Sequence, residues 1–130
     1  MEELEEIRQE KLRQMLNKLK EVESKMDVTD ADFEKNVIEA SKQKPVLVDF
    51  WATWCVPCNV LTPLLERVVK SYKGKISLVK MNVDESPETA NRFAINAIPA
   101  VKLFKDGKEA AQFVGVVPEA TIRHTIDTNI

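Results

Sequence analysis

Long apolar runs are missing from this chain. The uninterrupted ones are only a few residues, as in Val46-Leu47-Val48, where a bilayer-spanning helix needs about 20. Basic excess is missing too: 19 Lys and Arg stand against 21 Asp and Glu, net −2. That removes the electrostatic attraction that nucleic acid or an anionic membrane requires. Cysteine is scarce, with two residues three apart, Cys55 and Cys58. A secreted mini-protein stapled by disulfides carries more, widely spaced. The first 25 residues are rich in Glu, Lys and Arg and lack an apolar segment, which excludes a secretory signal there. No internal repeat or low-complexity linker is evident. What remains is 130 residues with 44% hydrophobic and 31% charged side chains, which suits one soluble domain around one core. Two neighbouring cysteines in such a chain point to redox or metal chemistry in a reducing compartment, and hence to the cytoplasm.

Residues 2–25 read as one long helix. Leu12, Met15, Leu19, Val22 and Met26 recur at helical spacing, with Leu4, Ile7 and Leu16 near the same face. Glu2, Glu3, Glu5 and Glu6 suit its positive end. A short strand is expected near Met26–Val28, then a helix capped by Thr29 or Asp30 and running to about Ser41, with Phe33, Val37 and Ile38 inward. Residues 46–52 form a nearly continuous apolar run, the pattern of a strand buried on both faces. A helix from about Cys58 to Tyr72 follows, kinked at Pro63 and ended near Gly74. Residues 76–83 alternate as a strand. Ser86 is expected to cap, and Pro87 to open, a short helix to about Phe93. Asp106-Gly107 marks a hairpin between strands at 100–105 and 110–114. Pro118 starts a last helix with Ile122 and Ile126 on one side. Strands alternating with helices and ending in a hairpin imply an α/β fold with a mixed sheet covered on both faces.

Disulfide exchange needs an attacking thiolate and a second thiol close enough to resolve the mixed disulfide. A Cys-x-x-Cys across a helix start supplies both. The helix N-terminus favours negative charge, so Cys55 is expected to have a lowered pKa. Cys58, in the first turn, is expected to be more buried and to act as the resolving thiol. Pro57 lacks an N–H where the helix does not need one. Two blander readings compete. A closed zinc site needs four ligands, and beyond the two cysteines the chain offers one histidine, His124; a dimer sharing four cysteines remains open. Two structural core cysteines are the other, less suited to a pair flanked by Trp54 and Pro57 after a buried strand. Asp49 poses a separate question. In a buried strand an unpaired carboxylate is costly, so it is neutral, paired with a cation, or at a strand end reaching water.

The segment Val48-Asp49-Phe50-Trp51-Ala52-Thr53-Trp54-Cys55-Val56-Pro57-Cys58 resembles the active-site segment of the thioredoxin family. Ile98-Pro99 resembles the family's cis-proline site and Phe104-Lys105-Asp106-Gly107 its hairpin. The resemblance covers about residues 29–130. It implies the thioredoxin fold, protein-disulfide reductase activity on disulfide-containing proteins, no cofactor beyond the Cys55/Cys58 pair, and electrons delivered by a thioredoxin-reductase-type donor. It implies that Asp49 lies behind the resolving cysteine and moves protons for it, that Lys80 is its partner lysine, and that the Ile98–Pro99 bond is cis and faces the disulfide, beside backbone that pairs with an extended substrate.

Trp54 is expected on the surface beside Cys55, and Trp51 in the core. Val56, Ile98, Pro99, Gly115 and Val116 are expected to complete a shallow apolar platform for substrates. Three positions depart from the family pattern. Val56 replaces the usual glycine between the cysteines, Asn59 the common lysine after Cys58, and Ala100 the common threonine after the cis proline. The first bears on redox potential, the others on partner choice. They leave a glutaredoxin-like or isomerase-like protein, or a redox-silent binding module, as alternatives.

The family core begins near residue 27. Residues 1–26 are therefore an added helical extension, similar to those of archaeal-type thioredoxin-like proteins, and 27–130 the thioredoxin domain. The extension is expected to dock on its own domain through Leu12, Met15, Leu19 and Val22. Dimerisation by helix pairing is the competing reading; a monomer is favoured, and a membrane-surface role is not.

Overall fold

A computed structural model describes the backbone of residues 2–130 and the side chains of residues 4–16 and 27–130. Helix α1 spans Glu2–Met26. Strand β1 is Val46–Trp51, α2 is Val56–Ser71, β2 is Ser77–Asn82, and α3 is Pro87–Arg92. Strands β3 (Ala100–Lys105) and β4 (Lys108–Val114) precede α4 (Glu119–Asp127). The sheet order is β2-β1-β3-β4. β1 runs parallel to β2 and antiparallel to β3, and β4 pairs with β3 as a hairpin. This is the mixed, two-sided sheet that the strand and helix order requires.

Side chains alternate between the two faces with the period of 2 that a strand imposes. Val46, Val48 and Phe50 join Val79, Met81, Ala100 and Phe104 on one face, under Val28, Phe33 and Val37. The rings of Phe33, Phe93 and Phe104 pack there with centroids 5.3–5.8 Å apart. Leu47, Leu78, Val101 and Leu103 take the other face, against Leu61, Leu65 and Val68 of α2 and Ile122 and Ile126 of α4. Each such side chain stabilises by about 1.5–3 kcal/mol. The hairpin turns at Asp106 (φ 54°) and Gly107 (φ 81°), left-handed positions that asparagine, aspartate and glycine occupy at least strain.

Three local expectations are corrected. The segment after Val28 is not an α-helix capped by Thr29 or Asp30. It is a π-helix over Glu34–Glu39 followed by a 3₁₀ turn over Ala40–Lys42, which still buries Phe33 and Val37 and half-buries Ile38. Asp30 instead caps α3 from a distance: its carboxylate accepts from the N–H of Glu88 (3.1 Å), and from the N–H and hydroxyl of Thr89 (2.8 and 2.6 Å). Ser86, expected to be that cap, makes no capping bond. The expected strand near Met26–Val28 reduces to one bridge between Asp27 and Lys80 and a bond from Val28 N–H to the Lys80 carbonyl.

The described part of the face expected to dock is open to solvent. Leu4, Ile7, Leu12, Met15 and Leu16 are all more than half exposed. Leu19 and Val22, the remainder of that stripe, lie outside the described side chains.

Candidate active site

Cys55 is the N-cap of α2, with an extended backbone, φ −89° and ψ 103°. Its N–H donates to the Ala52 carbonyl at 3.2 Å, closing the turn after β1. Its sulfur accepts from the Cys58 N–H at 3.3 Å. Cys55 and Cys58 are joined as a disulfide, with Cα atoms 5.4 Å apart, and both are buried, at 4% and 1% exposure. The expected order of burial holds. Once reduced, the Cys55 sulfur sits where a backbone donor and the positive end of α2 both favour a thiolate. Pro57 occupies the first turn, where its missing N–H leaves no bond unmade.

The cysteines pack with Ala52, Trp51, Val83 and Ile98. The Ile98–Pro99 bond is cis, as expected. The Pro99 carbonyl accepts from Gly115 N–H at 2.7 Å, tying the proline to the residues after β4. Trp54, Val56 and Val116 are exposed, Ile98 and Gly115 are half-buried, and Pro99 is buried. The proline ring is thus a floor beneath the expected platform rather than part of its open surface. Val56 turns its side chain to solvent, at 73% exposure. Trp54 Nε1 donates to Asp84 at 2.8 Å, which fixes the indole's orientation. Trp51 is half-buried, and its Nε1 is buried without a partner. His124 lies exposed on α4.

Asp49 is fully buried, which excludes a strand end reaching water. One carboxylate oxygen, Oδ2, accepts from the Thr62 hydroxyl at 2.7 Å, while Oδ1 is buried without a partner. Burial pushes its pKa up to about 6, against the lowering effect of the Thr62 hydrogen bond and the Lys80 charge; Glu66 pushes further upward. Lys80 lies beside Asp49 in register on β2, yet its ammonium pairs with Glu66 at 3.3 Å. Lys80 is thus a neighbouring cation to Asp49, while its hydrogen bond goes to Glu66. Lys80 acts on Asp49 as a nearby charge, because the half-exposed Glu66 carboxylate offers it a partner at lower desolvation cost. Thr62, Glu66 and Asp84 had not been singled out from the sequence. Thr62 and Glu66 are four and eight residues after Cys58 on α2, a helical spacing that was a usable signal.

A buried cysteine pair at a helix start, with a buried carboxyl on the strand before it and a cis Ile98–Pro99 bond whose isoleucine packs on the cysteines, defines a thiol–disulfide oxidoreductase. The thioredoxin family model matches residues 24–128. Thioredoxin 1 of Synechococcus elongatus is 42% identical over 103 residues, covering 79% of this chain and 94% of the relative. The thioredoxin of Pseudomonas aeruginosa is 41% identical over 105 residues, covering 81% and 95%. The chloroplastic M-type thioredoxin of Chlamydomonas reinhardtii is 44% identical over 100 residues, covering 77% and 70%. The chain belongs to the thioredoxin family. It is a protein-disulfide reductase that cycles Cys55 and Cys58 between dithiol and disulfide, and the redox group is its own cysteine pair. Members of this family act on disulfide-containing substrates and are reduced by a thioredoxin reductase.

Proposed function

We propose that Cys55 is the attacking thiolate, Cys58 the resolving thiol and Asp49 its proton carrier. Cys55 sulfur attacks one sulfur of the substrate disulfide, forming a mixed disulfide and releasing the first substrate thiolate. Asp49 then takes the Cys58 proton. The Cys58 thiolate attacks the Cys55 sulfur, the second substrate thiolate leaves, and the Cys55–Cys58 disulfide is restored. Two electrons pass from the dithiol to the substrate. The observation that carries this reading is the Asp49 carboxyl, buried under α2 with one oxygen unpartnered and a pKa raised to about 6. Such a group exchanges a proton near neutral pH. Lys80 tunes that carboxyl by its charge. Trp54, Val56, Ile98 and Val116 form the substrate platform, with Pro99 beneath it.

The site needs one chain only: Cys55, Cys58, Asp49, Lys80 and Pro99 all come from it, which supports a working monomer. The division into a helical extension, 1–26, and a catalytic domain, 27–130, is supported by where the family model begins. A pair of neighbouring cysteines that must be kept reduced supports a cytoplasmic place, moving electrons from reductase to protein disulfides. The near balance of charge gives neither nucleic acid nor a membrane surface a reason to bind.

The test is trapping. A Cys58→Ser chain incubated with cell lysate accumulates covalent partners that dithiothreitol releases, and the wild-type chain reduces insulin. No trapped partner, together with no insulin reduction, overturns the assignment and leaves a binding module.

A further inference from the structure

We propose that Thr62 is a positioning residue of the redox site: its hydroxyl holds Asp49 Oδ2 and so makes Oδ1 the oxygen that takes up and gives back the proton. The inference rests on the reading of Asp49 as proton carrier. A threonine within a helix ordinarily gives its hydroxyl hydrogen to the carbonyl one turn back. Thr62 gives it to the Asp49 carboxylate instead, at 2.7 Å, across from α2 to β1. A hydrogen bond from a hydroxyl to an ionised oxygen is among the stronger ones, and it anchors the rotation of the carboxyl group. Oδ1 is left buried with no partner. Negative charge on an orphaned buried oxygen is costly, and a proton placed there removes that cost.

The other groups around the carboxyl do not supply this restraint. Lys80 from β2 is engaged by Glu66 from α2. The β3 register partner is the apolar Val101. The remaining titratable groups of the site, Cys55 and Cys58, are tied in the disulfide. Thr62 therefore makes the one direct hydrogen bond to Asp49 among the described residues. It favours the ionised form, opposing burial.

The experiment follows the Asp49 carboxyl directly, by carbon-13 NMR titration of the disulfide form, where the cysteines do not titrate. Wild type, Thr62→Val and Thr62→Ser are compared, with the pH profile of insulin reduction measured on each. The wild-type carboxyl is expected to titrate at about 6. Thr62→Val raises that midpoint by about one pH unit, and the reduction profile moves alkaline with it. Thr62→Ser, which keeps the hydroxyl, restores both. An unmoved midpoint in Thr62→Val, or a serine variant that behaves like valine, overturns the inference. A midpoint that moves while the rate profile stays fixed overturns Asp49 as proton carrier and leaves the hold of Thr62 on its carboxyl standing.

Discussion

Asp49 and Lys80 lie side by side in register on parallel strands, yet the lysine ammonium is bonded to Glu66, 3.3 Å away, and not to the aspartate. Asp49 is thus a buried carboxyl whose direct restraint is one hydroxyl. Its raised pKa has a defined consequence for stability. Below about pH 3 it is protonated both folded and unfolded. Above about pH 7 it is ionised in both, and only the folded state bears the desolvation of the charge. Between these limits the folded chain binds more protons, so stability falls as pH rises. With the pKa moved from 3.8 to about 6, the loss is about 3 kcal/mol. Asp49→Asn therefore stabilises the protein at pH 8 by up to that amount, and the gain vanishes near pH 3. Urea unfolding at the two pH values measures this; an equal difference at both contradicts it. The same variant reduces insulin more slowly across pH 6–9.

The strength of the sequence signal varied with the range of the interaction that decides each feature. Strand β1 and the cysteine turn were legible because they rest on local pattern: a continuous apolar run, then a helix-start proline. The hairpin was legible because Asp106-Gly107 tolerates left-handed backbone. Asp30 misled because its side chain satisfies α3, 58 residues away, and its own turn does not use it. Lys80 was legible only through the resemblance, and which carboxylate binds its ammonium is settled by Glu66 on α2, a contact between distant residues that carries no local pattern. A lone threonine inside a helix carries only a weak signal, and the four-residue spacing of Thr62 from Cys58 is the one pattern that points it inward.

Trp54 is 67% exposed and held by Asp84 at 2.8 Å. A large aromatic side chain kept in one orientation at a contact surface is a typical binding anchor. Trp54→Ala is expected to raise KM for insulin roughly tenfold, about 1.4 kcal/mol, while turnover of a small aromatic disulfide is nearly unchanged. Asp84→Ala, which frees the indole without removing it, gives a smaller rise in the same direction. Steady-state kinetics on both substrates check this. Equal losses on the two substrates would make Trp54 a structural residue instead.

Asp30 ties the segment before the π-helix to the start of α3 by three hydrogen bonds, to Glu88 N–H and to the N–H and hydroxyl of Thr89. Burial opposes its charge, but the Thr89 side chain and the two backbone donors outweigh it, and its pKa is lowered. A lowered carboxyl pKa contributes stability above the ordinary carboxylate range and loses it as pH falls through the folded value. Asp30→Ala is expected to cost about 1–2 kcal/mol at pH 7, as loss of a helix cap does, and less at pH 3. Denaturant unfolding at the two pH values tests both magnitude and sign.

The exposed apolar face of α1 bears on oligomeric state. Leu4, Ile7, Leu12, Met15 and Leu16 find no cover on their own domain, yet every group assigned to the redox site lies after residue 48. The relatives match over 100–105 residues of this chain, about the length of the domain alone. Removing residues 1–26 keeps Val28, whose N–H binds the Lys80 carbonyl at 2.9 Å and closes the domain edge. A chain of residues 27–130 is therefore expected to reduce insulin within about twofold of the full chain, since it keeps every group of the redox site. Light scattering is expected to give one monomer mass for each length. A full chain that scatters as a dimer, beside a monomeric 27–130, would instead show that this face pairs with a second copy. Loss of insulin reduction on truncation would place the extension within the catalytic unit.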